Sequence, residues 1–391
     1  MSHKYCSRRE FLHRGFAIAS GAPLAAQLVP WRLLAADHLI AAPRRADARV
    51  AITACRNYGA EVRPALAKCF DLLGGIGSLV KNKTVTVKIN LTGTNFSPYL
   101  GRPVGETFMT HYDTALALAA LLFAEGAKRV RFVESTQSRA SLTTSLDYAD
   151  WDVKSLANLG KVEFENTRNL GSGKTYGHLA VPRGGHAFSS LDLNQSYTDT
   201  DVMVSLAKLK NHITAGVTLS MKNMFGITPN SLYGGEAGSE DALAGRQPLH
   251  DPREFEKVKL PGLKSDVTSV DSTWRVPRMV ADICAARPVH LAIIDGITAM
   301  SGGEGPWCAD AAPIKVTTPG VLIAGLNPVS TDAIGTAVMG YADPRALRGT
   351  KPFHFCDNHL LLAEQLEVGC ADLAQIDVRG MTVEKARYPY S

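Results

Sequence analysis

Runs rich in β-branched and apolar residues alternate along this chain with runs of helical periodicity, and that alternation leaves few architectures open. The pattern predicts strands over Arg49–Ala54, Thr84–Asn90, Arg129–Glu134, Lys161–Glu165, Asp201–Leu206, Leu291–Asp295, Val321–Gly325 and Gln375–Val378. Between them it predicts helices over Glu61–Leu73, Tyr112–Glu125, Thr218–Met224, Val276–Ala286, Thr331–Met339 and Asn358–Leu366. Strands separated by helices pair in parallel, so the expected fold is α/β: a mostly parallel sheet covered by helices. With 45% apolar and 20% charged residues the core is ample. Leu170–Ser190, rich in Gly, Ser and His, and Asn230–Ser272, with many Gly, Pro and charged residues, break the pattern as long inserted loops. Loops of that length in a compact domain serve as lids or binding loops. No linker is evident, and residues 41–391 are expected to form a single elaborated domain.

The first forty residues read differently. Ser7-Arg8-Arg9-Glu10-Phe11-Leu12 precedes an uncharged run of apolar and small residues from Gly15 to Pro30. Paired arginines ahead of a moderately apolar stretch predict a twin-arginine export signal, with His13 departing from the usual lysine. The run is short for a spanning helix, which needs about 20 apolar residues, and Gly21, Pro23, Gln27 and Pro30 weaken it further. The expectation is therefore a periplasmic or otherwise exported protein that meets the twin-arginine export machinery and has no permanent membrane span.

The formal charge is +5, but the leader holds Lys4, Arg8, Arg9, Arg14 and Arg32 against Glu10 and Asp37, which leaves +2 beyond it. That balance argues against a nucleic-acid partner. Of the seven cysteines, Cys6 falls in the leader; Cys55, Cys69, Cys284, Cys308, Cys356 and Cys370 remain, with no C-x-x-C spacing. No cysteine-ligated iron–sulfur cluster is expected. Disulfides and buried free thiols both stay open.

The densest polar segment is Ser205 to His212, where Lys208, Lys210 and His212 alternate. If the strand continues, all three face one side, and adjacent cations call for solvent or an anion. Gly216 to Gly226 follows, with Thr218 and Lys222 one helical turn apart and Asn223 beside them. The start of that helix offers free N–H groups to an anion. A second segment runs from a buried strand into Asp295, then through Gly302-Gly303 to Glu304. Carboxylates there suit a divalent metal ion, a general base, or pairing with the lysines. Asp332, in Asn327 to Asp332, reads as a first-turn helix acid. Lys88 and Asn90, ending an early strand, and His111 are weaker site candidates. His178, His186, His250 and His354 show no metal spacing and read as surface or packing residues.

These segments together resemble the domain-of-unknown-function 362 family. The resemblance rests on V-K-I-N-L at Val87–Leu91, T-H at Thr110–His111, V-E-S at Val133–Ser135, S-L-A-K-L-K-N-H at Ser205–His212 and G-V-T-L-S-M-K-N-M-F-G at Gly216–Gly226. It continues through I-D-G-I-T-A-M at Ile294–Met300, G-E-G-P at Gly303–Pro306 and N-P-V-S-T-D at Asn327–Asp332. The chain departs at Ile89 and Tyr112, where the family usually has proline. Some relatives carry a ferredoxin-like double-cluster segment, which this cysteine pattern excludes. The resemblance implies an α/β fold and a shared polar pocket, and supplies no reaction.

The expected function is an exported envelope enzyme acting on a small anionic ligand. Lys88, Lys208, Thr218, Lys222 and Asn223 are expected to bind it. His212, Glu304 and Lys210 are expected to carry the chemistry, with Asp295 and Glu304 as ligands for a metal. A non-catalytic anion- or cofactor-binding protein and an accessory subunit of a redox complex are the alternatives. Lys208, Lys210, His212, Lys222, Asp295 and Glu304 are expected to line one cavity.

Overall fold

The structure, a computed structural model, describes residues 48–310 and 312–390; the expected export signal lies outside the described residues. All eight expected strands form, and they form one sheet: β1 (Arg49–Ala54), β2 (Thr84–Lys88), β3 (Arg129–Glu134), β4 (Val162–Asn166), β5 (Val202–Lys208), β6 (Leu291–Gly296), β7 (Val321–Gly325) and β8 (Asp377–Gly380). Their order across the sheet is β8-β1-β7-β6-β5-β2-β3-β4. Only β7 runs against its neighbours; every other pairing is parallel.

Period-two alternation divides each central strand between two cores. Met203, Ala292, Ile294 and Ile323 face one core with α3 (Leu219–Met224), α4 (Ser272–Ala286), α5 (Pro328–Val338) and α6 (His359–Gln365). Val85, Val87, Val204, Ile293 and Leu322 face the other, under α1 (Val62–Leu73) and α2 (Tyr112–Ala124). The strands read as near-continuous apolar runs because both faces are covered.

The chain leaves β2 outward to β3 and β4, then returns to place β5 on the other side of β2 and proceeds to β6. The direction of winding therefore reverses between β2 and β5, and ligands of open α/β sheets gather outside the carboxyl ends of strands at such a point.

The inserted loops are more ordered than their composition suggests. Gly177–Ala180 and Ser190–Leu193 pair as an antiparallel hairpin at the end of the first. The second carries short helices at Asn230–Tyr233, Gln247–His250 and Pro252–Phe255. Among the described residues no helix is long and apolar enough to cross a membrane. The six cysteines from Cys55 to Cys370 are free and buried.

Candidate functional site

A cavity of about 370 Å³ opens at the carboxyl ends of β2, β3 and β5, where the winding reverses. Four cationic side chains line it, Lys88, Lys210, Lys222 and Arg246, against the carboxylates Glu134 and Glu304. His212, Thr218 and Asn223 line it as well.

The cations differ in how far the protein satisfies them. Lys88, at the end of β2, is 1% exposed and ion-paired with Glu134 at 2.7 Å. It also donates to the Ile89 carbonyl at 2.6 Å and to Asn223 Oδ1 at 3.4 Å, so its three N–H bonds are used. Glu134 in turn accepts from the backbone of Leu91 and Ser135. This cluster knits the ends of β2 and β3 together. Gly226 packs closely against it: a Cβ there would sit 2.9 Å from Lys88 Nζ and push that side chain aside. Lys210 donates to the carbonyls of Phe108 at 2.6 Å and Glu304 at 2.9 Å, which leaves one donor. Burial pushes its ammonium down to about 7, with the Glu304 charge opposing.

Lys222, on α3, is 8% exposed. Its nitrogen lies 4.1 Å from the centre of the Phe225 ring, and among the described residues it has no hydrogen-bond acceptor. Burial pushes it down to about 7, helped by the positive charges of Arg246 and Lys88 and opposed by Glu304. Arg246 spends Nε and Nη2 on the Thr228 and Gly226 carbonyls and the Thr228 hydroxyl. Its Nη1 has no acceptor among the described residues.

His212 takes the Thr214 backbone N–H on Nδ1 at 3.2 Å, which assigns the ring proton to Nε2. Burial, reinforced by Lys222, His250, Lys210 and His359, holds its pKa well below the ordinary histidine value, so the ring is neutral. Glu304 accepts from the Ile213 backbone at 3.0 Å and from Trp307 Nε1 at 3.3 Å, and its carboxylate lies 3.9 Å from His212 Nδ1. The glycines around it are steric necessities: a Cβ on Gly305 would overlap the Trp307 ring, and one on Gly303 the Cys308 side chain.

Lys208 and Asp295 do not line this cavity. The strand ends at Lys208, so the alternating face expected through His212 breaks there. Lys208 and Asp295, lateral neighbours on β5 and β6, form an ion pair at 3.3 Å with both side chains fully buried. Lys208 also donates to Tyr58 Oη and to the carbonyls of Gly105 and Thr298. Tyr58 and Thr114 donate to Asp295, whose oxygens are thereby occupied. Asp295 and Glu304 consequently belong to separate clusters. Among the described residues no group of three or more His, Cys, Asp and Glu side chains is placed to hold a metal ion.

The start of α3 is not open to an anion. Asp332 fills it, accepting from the Ser220 and Met221 backbone at 2.8 Å each and from the Ser220 hydroxyl. Asp332 is thus a cap on a neighbouring helix, not on its own. Burial pushes its carboxyl up to about 7, and the Ser220 and Met221 donors pull the other way. Thr218 donates to the Asn211 carbonyl. Asn223 bridges Lys88 to Ser205 and receives Asn90, so it fixes the adjacent strand ends.

Two lining charges escape a reading of sequence. Glu134 ends β3 inside the V-E-S match, and its place at a strand end was the available signal. Arg246 sits in the second inserted loop without periodic context; only the expectation that such a loop binds ligand pointed toward it. His250, expected at the surface or in packing, is exposed yet reaches the cavity edge, with its ring 5.2 Å from Phe225. His111, the weaker candidate, caps α2 and stacks on Tyr58 away from the cavity.

Comparison with known proteins places these features in context. The chain is 24% identical over 284 residues to a thylakoid-associated protein, sll1697, of Synechocystis, covering 69% of each. It is similar to the lactate racemase apoprotein of Thermoanaerobacterium thermosaccharolyticum at 10% identity and a TM-score of 0.35, covering 70% of this chain and only about half, 54%, of that one. The model of the DUF362 family, a domain of unknown function, matches residues 85–337, a span that runs from β2 to α5 and contains every charged residue of the cavity, and the chain belongs to that family.

Proposed function

We propose that this chain is an exported enzyme of the cell envelope that acts on a small anionic molecule held in the cavity between β2, β3 and β5. The observation that carries the reading is Lys222: a buried ammonium facing the cavity with no acceptor among the described residues. Burial leaves that charge largely desolvated, and an anion in the cavity compensates it. Arg246 Nη1 adds a second unspent donor, with a charge that persists across the physiological range. His212, neutral and protonated on Nε2, donates to an oxygen of the substrate, and Glu304 accepts or returns a proton. Lys210 holds the Glu304 loop through its carbonyl and contributes charge. The twin-arginine pattern at Arg8 and Arg9 supports export.

A second reading, a carrier that binds the anion without converting it, draws on the backbone contacts that already occupy Lys210 and Glu304. Titration calorimetry of the purified protein with phosphate, sulfate and a panel of small carboxylates tests the shared part. Saturable binding that Arg246→Gln weakens at least tenfold is the expected result; absence of saturable binding by every probe overturns the anion site. Recovery of a chemically altered probe separates enzyme from carrier.

A further inference from the structure

We propose that Lys222 Nζ is a nucleophile that forms an imine with the carbonyl carbon of a small 2-oxo carboxylate. The inference rests on the cavity being an anion site and names the substrate class of that site.

Three placements carry it. The first is the difference between Lys222 and the other buried lysines. Lys88 and Lys208 donate to a carboxylate as well as to carbonyls, and Lys210 donates to two carbonyls; those acceptors require N–H bonds and hold the ammonium form. Nothing among the described residues holds Lys222 that way, so its lone pair is available once the proton leaves. The second is Arg246, whose free Nη1 edge lies in the same lining and takes a carboxylate. The third is His212. Because Thr214 donates to Nδ1, the ring presents N–H at Nε2, and a neutral imidazole in a cavity polarises a carbonyl oxygen by donating to it. A molecule bearing a carboxylate beside a ketone or aldehyde meets all three.

The step balances without an oxidant or reductant. The Nζ lone pair forms the C–N bond while the C=O π pair moves to oxygen, to which His212 donates a hydrogen bond from Nε2. Nζ gives one proton to that oxygen to form the carbinolamine and then a second to the hydroxyl, which leaves as water as the nitrogen lone pair forms the C=N bond. Glu304, in the same cavity, passes the proton between nitrogen and oxygen. Amine and carbonyl become imine and water. Burial prepares the amine: with its ammonium pushed down to about 7, a sizeable share of Lys222 is uncharged at neutral pH.

The test is reductive trapping on the full chain. The protein is incubated with pyruvate, glyoxylate or 2-oxoglutarate, treated with sodium borohydride, and mapped by peptide mass spectrometry. The expected result is a reduced adduct concentrated on Lys222, formed faster as pH rises through about 7. It is lost completely in Lys222→Arg, or in Lys222→Met if arginine disturbs the fold by circular dichroism. No adduct on Lys222 with any of the three probes overturns the proposal. So does labelling spread over surface lysines that persists in the variant. Calorimetry without borohydride separates the two failures: pyruvate that binds and is not trapped removes the imine alone, whereas a probe set that neither binds nor is trapped removes the anion site as well.

Discussion

Lys208 and Lys222 are both buried lysines on one stretch of chain, and the protein treats them in opposite ways. Lys208 faces Asp295 with both side chains fully out of solvent, and Tyr58, Gly105 and Thr298 accept from its three N–H bonds. Lys222 has a cavity before it and an aromatic ring beneath it. A buried charge is tolerated when paired and hydrogen-bonded, and otherwise shifts its pKa or recruits a partner. The first cluster is closed and joins β5 to β6. The second is open, and Lys222 Nζ has no hydrogen-bond acceptor among the described residues. Burial and residue type are shared, so what separates the two sites is the unspent donor on Lys222.

Lys208→Met is the strongest way to break this comparison. It strands the Asp295 carboxylate in the core and is expected to cost about 3–5 kcal/mol, read as a lower urea midpoint. Pairing it with Asp295→Leu should restore part of the loss by removing the stranded charge, while the Tyr58 and Thr114 hydroxyls and the Gly105 and Thr298 carbonyls stay unpaired. A single variant of wild-type stability would show that the two lysine sites do not differ. Lys222→Met sharpens the other half. It is expected to leave stability unchanged or slightly raised, since a desolvated charge without an acceptor is removed. It should also weaken anion affinity roughly tenfold to a hundredfold, the worth of a charge-assisted hydrogen bond. Equal losses of stability in both variants would make Lys222 structural.

The sheet was readable because its signal is local. Six of the eight strands are largely buried apolar runs, while the edge strands β4 and β8 are half-buried to exposed, and observed boundaries fall within two residues of those expected, from Arg49–Ala54 to Asp377–Gly380. The hairpin Gly177–Ala180 with Ser190–Leu193 was not readable, since short half-exposed strands rich in Gly, His and Ser carry no apolar run. The cavity was partly legible. Lys210, His212, Lys222 and Glu304 stand out as polar residues beside buried strands, and they line it together. Lys208 and Asp295 stand out equally, but strict alternation past the end of β5 misplaced Lys208, and Asp295, placed in the cavity as a strand-end carboxylate, pairs with Lys208 instead; the chain turns after Lys208, and Leu209 bonds to the Asp295 carbonyl. Arg246 was illegible because backbone carbonyls of Gly226 and Thr228 position it, and carbonyls leave no mark in sequence.

Titration separates the two lysine sites by a further route. Lys222 has a folded pKa lowered from 10.5 to about 7, and a bound anion favours its charged form. Anion affinity should therefore be full below about pH 7 and fall by up to roughly tenfold per pH unit above it. The ligand-free protein should show the reverse trend. Between about 7 and 10.5 the unfolded chain keeps the Lys222 proton that the folded chain has released, so this group adds stability as pH rises through that window. Calorimetry and thermal unfolding from about pH 6 to about pH 9 check both slopes. An affinity that is flat across the range would mean that Lys222 contributes no charge to binding.

The smallest expected effect belongs to Glu304→Gln, and it asks whether the open site holds an anion of its own. Glu304 is the carboxylate whose charge favours the ammonium forms of both Lys210 and Lys222. Its oxygens are taken by Ile213 N–H and Trp307 Nε1, however, and it makes no direct hydrogen bond to either lysine nitrogen through its side chain. Glutamine preserves the shape and one of those two acceptors. Measured at about pH 5, where Lys222 stays charged without Glu304, removing the charge should tighten binding of an external anion by a few-fold, roughly 0.5–1 kcal/mol. At the same time any conversion of the substrate should fall, since a proton carrier is gone. Tighter binding with slower turnover fits a site built for an external anion. Weaker binding would mean that Glu304 is the internal counter-ion holding the lysines in place, and the open cluster would then be a looser version of the Lys208–Asp295 pair.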